Sequence, residues 1–370
     1  MGCIVGKYQI QNTRSDIPMK KKKKFPVWGI LLIVLAVILL GVGAIFLYVQ
    51  SKLNKINRVD TSQEEMLDPA EETFEVEDES KADGSADTIQ PEDITWDTAD
   101  IEVMNDKDVA NILLIGQDRR EGQGRQRSDA MIICSLNKKT NKIILTSVMR
   151  DMYVPIPGYS DNRINAAYQF GGMELLDQVI EESLGIHIDA NVEVDFEGFV
   201  NSLASVGNIN IELNEAEANY LNNNNSWVAQ AGSDATGWNL QAGMNSLTPE
   251  QALAYARIRY VGNSDWERTD RQRRVIMAAF ENVKGLGVGE WVSLADEIFP
   301  NLTTDMTNSQ ILGYVYTVVT NGMTEIESYR LPAEGTYTCE TLRKGMEVLV
   351  PNLSKNAAAA KEYIYGSDAS

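Results

Sequence analysis

Twelve arginines in short windows carry the chemical signal of this chain. Arg119, Arg120, Arg125 and Arg127 fall together, Arg150 and Arg163 follow, and Arg257, Arg259, Arg268, Arg271, Arg273 and Arg274 form a third group. From residue 109 onward the chain has 33 Asp and Glu against 21 Lys and Arg. Guanidinium groups collected this way on an acidic polypeptide serve something other than solubility. A guanidinium is always charged, and its planar fork matches two phosphate oxygens at once. Asp118, Asp129 and Asp265 lie in the same windows, and carboxylates are what a metal-bridged phosphate site requires. The pattern predicts a pyrophosphate pocket. The one histidine, His187, sits in Leu184-Gly185-Ile186-His187-Ile188, a strand entry, and reads as structural. Ser-His-Asp hydrolysis therefore has no support.

The elements that must position these groups alternate between strand and helix. Asn111 to Ile115, Ala130 to Leu136 and Ile143 to Val148 read as strands, the last two joined by the turn-forming run Asn137 to Asn141. Met173 to Leu184 has helical period, Val192 to Val194 is extended, and Phe196 to Val206 is helical again. Residues 221–247 read as a surface loop. Thr248 with Gln251 makes a capping box, and Pro249 suits the first position of a helix that runs to Arg257 and Arg259. A further helix is expected to begin after Asp265, whose carboxylate favours a helix N-terminus, and places Arg268 and Gln272, four residues apart, on one face. One helix ends in arginines and the next begins with them, so both can converge on one anion. The expected fold class is α/β, a single α/β/α domain with a central mixed sheet.

Charge divides the chain into zones. Residues 1–57 hold nine Lys and Arg against one Asp, residues 58–108 hold 19 acids against three bases, and the whole chain is at −20. Val27 through Val49 is 23 residues without a charge, preceded by Lys20 to Lys24 and edged by Trp28 and Tyr48. That length spans a bilayer as a helix, and the lysine run places residues 1–26 in the cytoplasm. Residues 50–108 are expected to be an acidic flexible tether outside the cell, its last part near Trp96 to Val103 joining the fold. The catalytic domain is expected over 109–366, with a tail at 367–370. Without a broad basic face, nucleic acid is excluded as a partner. Cys134 reads as a buried small hydrophobe, and its pairing with Cys339 is left open. Arg119 and Arg125 read as solvated loop charges, and Arg273 and Arg274 as a solvated helix face or ion pairs.

Six windows, in order, resemble the LytR–CpsA–Psr family of membrane-anchored cell-wall enzymes. They are Gly116-Gln117-Asp118-Arg119-Arg120, Arg127-Ser128-Asp129-Ala130-Met131, Ser147-Val148-Met149-Arg150-Asp151, Arg163 to Tyr168 with Gly171-Gly172, Glu250 to Arg259, and Ser264 to Gln272. The similarity runs from about Val109 to Lys284, with a further stretch at Gly345 to Pro351. Three places depart from the family pattern: Val148-Met149 stands where Ile-Pro is usual, Gly207-Asn208-Ile209 where Gly-Gly-Val is, and Arg163 where Lys is.

The resemblance implies transfer of an anionic glycopolymer from a polyprenyl-pyrophosphate carrier to peptidoglycan, as a phosphodiester. It matches Asp118 and Asp129 to metal ligands for Mg2+ (or Mn2+). It matches Arg120, Arg127, Arg257, Arg259, Arg268 and Gln272 to the pyrophosphate pocket, to which Arg271 is added from the same window. It matches Arg150 to the central catalytic arginine and Asp265 to an aspartate beside it. The family's apolar prenyl pocket is expected against the helices Met173 to Leu184 and Phe196 to Val206. Phosphoryl transfer needs charge neutralisation and in-line positioning more than covalent help, which suits this residue set. The proton acceptor stays open between Asp265, Asp118 and a metal-bound water. Two other functions stay open as well: a non-catalytic regulator that binds lipid intermediates, and a polyprenyl-pyrophosphate hydrolase.

Overall fold

The computed structural model describes residues 47–74, 89–98, 101–117, 119, 122–223, 237–262, 265–342 and 345–366. Its centre is a seven-stranded mixed sheet in the order β1-β10-β7-β2-β3-β4-β11. In chain order the strands of this sheet are β1 (Asn57–Arg58), β2 (Val109–Gln117), β3 (Ser128–Asn137), β4 (Lys142–Val148), β7 (Ala190–Asp195), β10 (Thr303–Thr304) and β11 (Glu325–Leu331). Small two-stranded pairs lie outside it: β5 (Tyr153–Val154) with β6 (Asn162–Arg163), β8 (Ile209–Leu213) with β9 (Gly243–Leu247), and β12 (Tyr337–Leu342) with β13 (Met346–Pro351). The hairpin β2–β3–β4 is antiparallel, whereas β7 and β11 run parallel to β2 and β4.

Alternation along β2 sorts the two faces. Val109, Leu113 and Ile115 pack with helix α1 (Asn165–Leu184), whereas Ala110, Ile112 and Leu114 pack toward the opposite layer. That opposite layer includes α2 (Phe196–Val206), α4 (Pro249–Ala256), α5 (Asp265–Val283) and α7 (Asn308–Thr320), with α3 (Glu215–Asn223) and α6 (Val288–Ile298) beside them. The closing helix α8 (Leu353–Tyr365) joins α1 on the first face. The result is the expected sandwich with a mixed sheet at its centre.

Helix α1 is broken at Gly171-Gly172, where Gly172 takes φ 70°. The carboxylate of Glu64 occupies the gap and accepts from the Met173 N–H at 2.8 Å, recapping the second half. A Cβ at Gly172 would overlap that carboxylate. Glu64 belongs to the segment read from the sequence as a free tether, and the described parts of that segment lie against the domain instead. Leu53 and Ile56 are buried, β1 pairs with β10, and the Leu67 N–H donates to the Phe170 carbonyl at 2.7 Å. Trp96 Nε1 donates to Asp161 at 2.7 Å. Scattered apolar residues, spaced too irregularly to read as an element, anchor the strap.

Other expectations resolve simply. The predicted loop 221–247 contains β9 at its end, while 224–236 lie outside the described residues. Cys134 and Cys339 are free, and burial pushes the Cys134 thiol up to about 12. His187 Nδ1 lies 2.6 Å from Glu181, a structural contact. The apolar run at 27–49 falls almost wholly outside the described residues, among which no helix is long and apolar enough to cross a membrane.

Candidate active site

The site lies where β3 begins and β4 ends. In the β3–β4 ladder Ile132 faces Ser147, so continuing that register brings residue 129 opposite residue 150. A register shift at Gly116/Gln117 pairs Gly116 with Ala130 and Gln117 with Ser128, leaving Asp129 as the extra, bulged residue. The bulge lets Asp129 and Ala130, neighbours in sequence, both border the same cavity. Arg150 Nη1 then donates to Asp129 Oδ1 at 2.9 Å.

Helices α4 and α5 bring the remaining charges. The Thr248–Gln251 capping box starts α4, and the helix ends at Ala256. Arg257 and Arg259 follow, flanking the buried Ile258, so both guanidiniums turn to the cavity. Arg257 lies 4.0 Å over the ring of Phe196, which fixes its plane. On α5, Arg268, Gln272, Val275 and Ile276 form one stripe that changes from polar to apolar along the helix. Asp265, at its first turn, pairs with Arg268 Nη1 at 2.9 Å and stands 4.0 Å from Arg150 Nε.

Asp129, Arg257, Arg259, Arg268 and Gln272 rim a cavity of about 440 Å³ between the sheet and α2, α4 and α5, a size typical of small-ligand sites. Arg150 and Asp265 pair to that rim from outside the lining. Leu114, Ile132, Val192, Val194, Phe196, Phe199 and Leu253 make up much of its wall. Among the described residues, Asp129, Asp195, Arg257, Arg259, Arg268 and Gln272 supply its polar side chains. The arrangement accepts a molecule with an anionic head and a hydrocarbon tail.

The charges at the rim shift one another's proton affinities. Burial alone would push the Asp129 carboxyl up, but the charges of Arg150, Arg268 and Arg259 outweigh it and hold it below the ordinary carboxylate range. Arg268 is pushed down to about 10, first by burial and then by Arg150, against the pull of Asp265. A partly desolvated cation beside other cations gains most from an incoming phosphate. Behind the rim, buried Arg163 pairs through Nε with Asp151 at 3.3 Å, and Asp151 lies 3.5 Å from Arg150 Nε. Arg163 also donates from Nε to the Glu347 carbonyl at 3.1 Å. The Arg163–Asp151 pair therefore orients Arg150 from behind.

Arg150, Asp265, Arg257, Arg259, Arg268, Gln272 and Asp129 are thus gathered at one place. Asp118 and Arg120 lie outside the described residues. Arg127 is not among the groups lining the cavity: it donates to the Thr73 carbonyl at 2.6 Å and approaches Asn165 Oδ1 at 3.5 Å. Arg271, expected with the phosphate ligands, points into the protein interior. It pairs with buried Glu217 at 2.8 Å and with Glu267 at 2.7 Å, and it donates to the carbonyls of Ile258 and Val261. A buried Glu217 without this partner would be an uncompensated charge, which is the physical reason for the placement.

Two further corrections follow from packing. Met173 to Leu184 sit on the opposite sheet face and do not line the cavity; Phe196 and Phe199 of the second expected helix do. Arg125 is a half-buried clamp on Glu64 at 3.2 Å and on the Glu65 and Gln169 carbonyls, not a solvated charge. Arg273 and Arg274 form the ion pairs that were one of the two expectations, both with Asp270, at 3.4 and 2.8 Å; Arg273 is buried and also donates to Ser147 Oγ at 2.7 Å. Sequence reading missed Val192, Val194, Leu114 and Ile132 as cavity walls. Their period-2 alternation was the available signal, but it does not tell which face is lined by ligand and which by helix.

Among the described residues no group of three or more His, Cys, Asp or Glu is placed to hold a metal ion. Asp129, held ionised at the rim, is a hard oxygen donor of the kind that Mg2+ shares with phosphate oxygens.

The chain resembles known proteins over most of its length. A protein of Oceanobacillus iheyensis named polyisoprenyl-teichoic acid–peptidoglycan teichoic acid transferase TagU is 30% identical over 311 residues, 82% of each chain. Regulatory protein MsrR of Staphylococcus aureus is 27% identical over 263 residues, 71% of this chain and 76% of its own. The crystal structure of Bacillus subtilis TagV superposes with a TM-score of 0.56 at 25% identity, covering 70% of this chain and 99% of that one. Bacillus subtilis TagT shares the fold, with a TM-score of 0.55 at 24% identity over 74% of this chain and 99% of its own. The LytR_cpsA_psr family profile matches residues 70–362, which include every described side chain of the cavity and its rim. By that match this chain belongs to the LytR_cpsA_psr family.

Proposed function

We propose that this chain is a phosphotransferase that moves an anionic glycopolymer, a teichoic acid or another wall or capsular polysaccharide, from a polyprenyl-pyrophosphate carrier to peptidoglycan. One observation carries the reading: a cavity walled by apolar side chains opens onto a rim of Arg257, Arg259, Arg268, Gln272 and Asp129. A prenyl chain fits the first part and a diphosphate the second. The relative of 30% identity over 82% of both chains bears the name of a teichoic acid transferase acting on a polyisoprenyl-linked donor, which supports the same substrate class.

In the proposed reaction a peptidoglycan hydroxyl oxygen bonds to the phosphorus carrying the glycan. The bond from that phosphorus to the bridging oxygen breaks, and polyprenyl phosphate leaves. Arg257, Arg259 and Arg268 hold the diphosphate oxygens and take up the charge that develops on the leaving group. Arg150 ties Asp129 and Asp265 into the same frame, and Asp265 is the described carboxylate assigned to accept the hydroxyl proton. Asp129 together with substrate oxygens would hold Mg2+ or Mn2+, with Asp118 as the second carboxylate; the cation, when bound, neutralises phosphate charge. The apolar run 27–49 anchors the chain in the membrane, with residues 1–26 in the cytoplasm and the domain outside.

The test is transfer by the purified full chain from a synthetic polyprenyl-pyrophosphate glycan to peptidoglycan sacculi. Arg150→Ala is expected to lower transfer at least about 100-fold, the scale for losing a preorganised charge at a transition state. Undiminished transfer by that variant would overturn its role. Glycan phosphate released at the same rate with and without peptidoglycan would identify a hydrolase instead.

A further inference from the structure

Helix α7 (Asn308–Thr320) contains no charged residue, although the domain around it is acidic. Its apolar side chains would ordinarily all turn inward, with the Asn, Ser, Gln and Thr residues facing water. Here Tyr314 and Val318 pack against the sheet with Ile326 and Cys134. The other side carries Leu312, Val315, Tyr316 and Val319 at the i, i+3, i+4, i+7 spacing of a continuous stripe. Val315 is 55% exposed, Tyr316 69% and Val319 71%. Leaving such a stripe bare marks a surface that something apolar covers.

The position of the stripe says what covers it. Asn308, the first residue of α7, donates from Nδ2 to Gln50 Oε1 at 2.6 Å and to Asn54 Oδ1 at 2.8 Å. Gln50 is the residue directly after the 23-residue uncharged run Val27 to Val49. At 1.5 Å per residue, Val319 lies about 17 Å along the helix from that junction. Lys52 and Lys55 meet Asp296 of α6 at 2.7 and 2.5 Å, so the same stretch also pins α6, whose Trp291 is 42% exposed. Tyrosine and tryptophan are the side chains that settle at a membrane–water interface. A carboxylate-free stripe is what a net-acidic domain must present if it is to touch an anionic bilayer without repulsion.

We infer that α7 is a membrane-docking helix: Leu312, Val315, Tyr316 and Val319 lie in the interface of the bilayer that anchors the chain. The inference rests on the single-pass anchoring proposed above. Docking would tie the domain to the bilayer at a second point and give the cavity, which shares its layer of the fold with α7, a fixed attitude toward a lipid-borne substrate.

The test uses the full chain in vesicles of phosphatidylethanolamine and phosphatidylglycerol, with Cys3→Ser, Cys134→Ala and Cys339→Ser as background. An environment-sensitive fluorophore is placed at Tyr316→Cys, at Val319→Cys and, as an exposed reference, at Glu212→Cys. Doxyl-labelled lipid is expected to quench the probes at 316 and 319 at least about twofold more than the probe at 212, with blue-shifted emission, as for a side chain in the acyl–headgroup boundary. Protein that floats with the vesicles yet shows equal quenching at all three sites overturns the docking surface and leaves the anchor standing. Protein that does not float overturns the anchor, and the inference with it. Blue shift without lipid quenching, accompanied by energy transfer between copies, overturns it in favour of self-association.

Discussion

Replacing Arg268 by methionine separates what the rim does for binding from what it does for stability. Arg268 is 3% exposed, and its charge is held against burial and against Arg150, so that its proton affinity falls to about 10. At about 1.4 kcal/mol for each tenfold in proton affinity, the environment disfavours the charged form by about 3 kcal/mol. The sign follows: a cation whose affinity falls on folding opposes folding at every pH below about 10, and the opposition fades only as pH rises toward the unfolded value. Methionine removes that net opposition, which already contains the pull of Asp265 at 2.9 Å. Asp265 keeps Arg150 at 4.0 Å. Arg268→Met is therefore expected to unfold no more easily than the parent in urea. Affinity for a polyprenyl diphosphate, measured by calorimetry, is expected to fall about 10- to 100-fold, as one charge-assisted fork is lost. A variant destabilised by several kcal/mol that still binds diphosphate at full strength would refute the assignment of Arg268 to the ligand and make it a structural ion pair.

Three further perturbations test neighbouring links. Asp129 has a depressed affinity for protons in the folded state; its contribution to stability is therefore present above the unfolded carboxylate range and lost as pH falls below about 4. Asp129→Asn is expected to flatten the acid limb of a urea-unfolding series, and an unchanged slope would contradict the pairing with Arg150. Arg163→Lys keeps a cation near Asp151 but removes the fork that reaches both Asp151 and the Glu347 carbonyl. Its expected signature is a fall in kcat of about tenfold with KM little changed, because Arg150 is misaligned and the diphosphate ligands are untouched. Gly172→Ala strains a backbone at φ 70° and collides with Glu64, at a cost of about 1–3 kcal/mol. Adding Glu64→Ala should recover part of that loss in a double-mutant cycle; additive losses would show that the collision is not the cause.

How far the sequence could be read depends on the range of the physics involved. Strands β2, β3 and β4 and helices α4 and α5 follow from period, turn residues and a capping box, all set within a few neighbours. The charged rim was legible for the same reason, since Arg268 and Gln272 share a face by helical spacing alone. Arg271 shows the limit. Three residues after Arg268 it points only about 60° aside, and nothing local decides whether it meets ligand or protein. Glu217, 54 residues earlier and buried on α3, decides it. The strap over 50–74 shows the same limit: acidic composition argues for disorder, yet Leu53 and Ile56 are buried, Leu67 packs on the core, and Glu64 caps a broken helix. The bulge at Asp129 is subtler, because an uninterrupted β3 would have pointed Asp129 and Ala130 to opposite faces. A single extra residue in the ladder turns the carboxylate toward Arg150 and Arg259. The chemistry at the rim therefore depends on a defect in the sheet, and a substitution that restored regular pairing there would move the carboxylate without changing one charged residue.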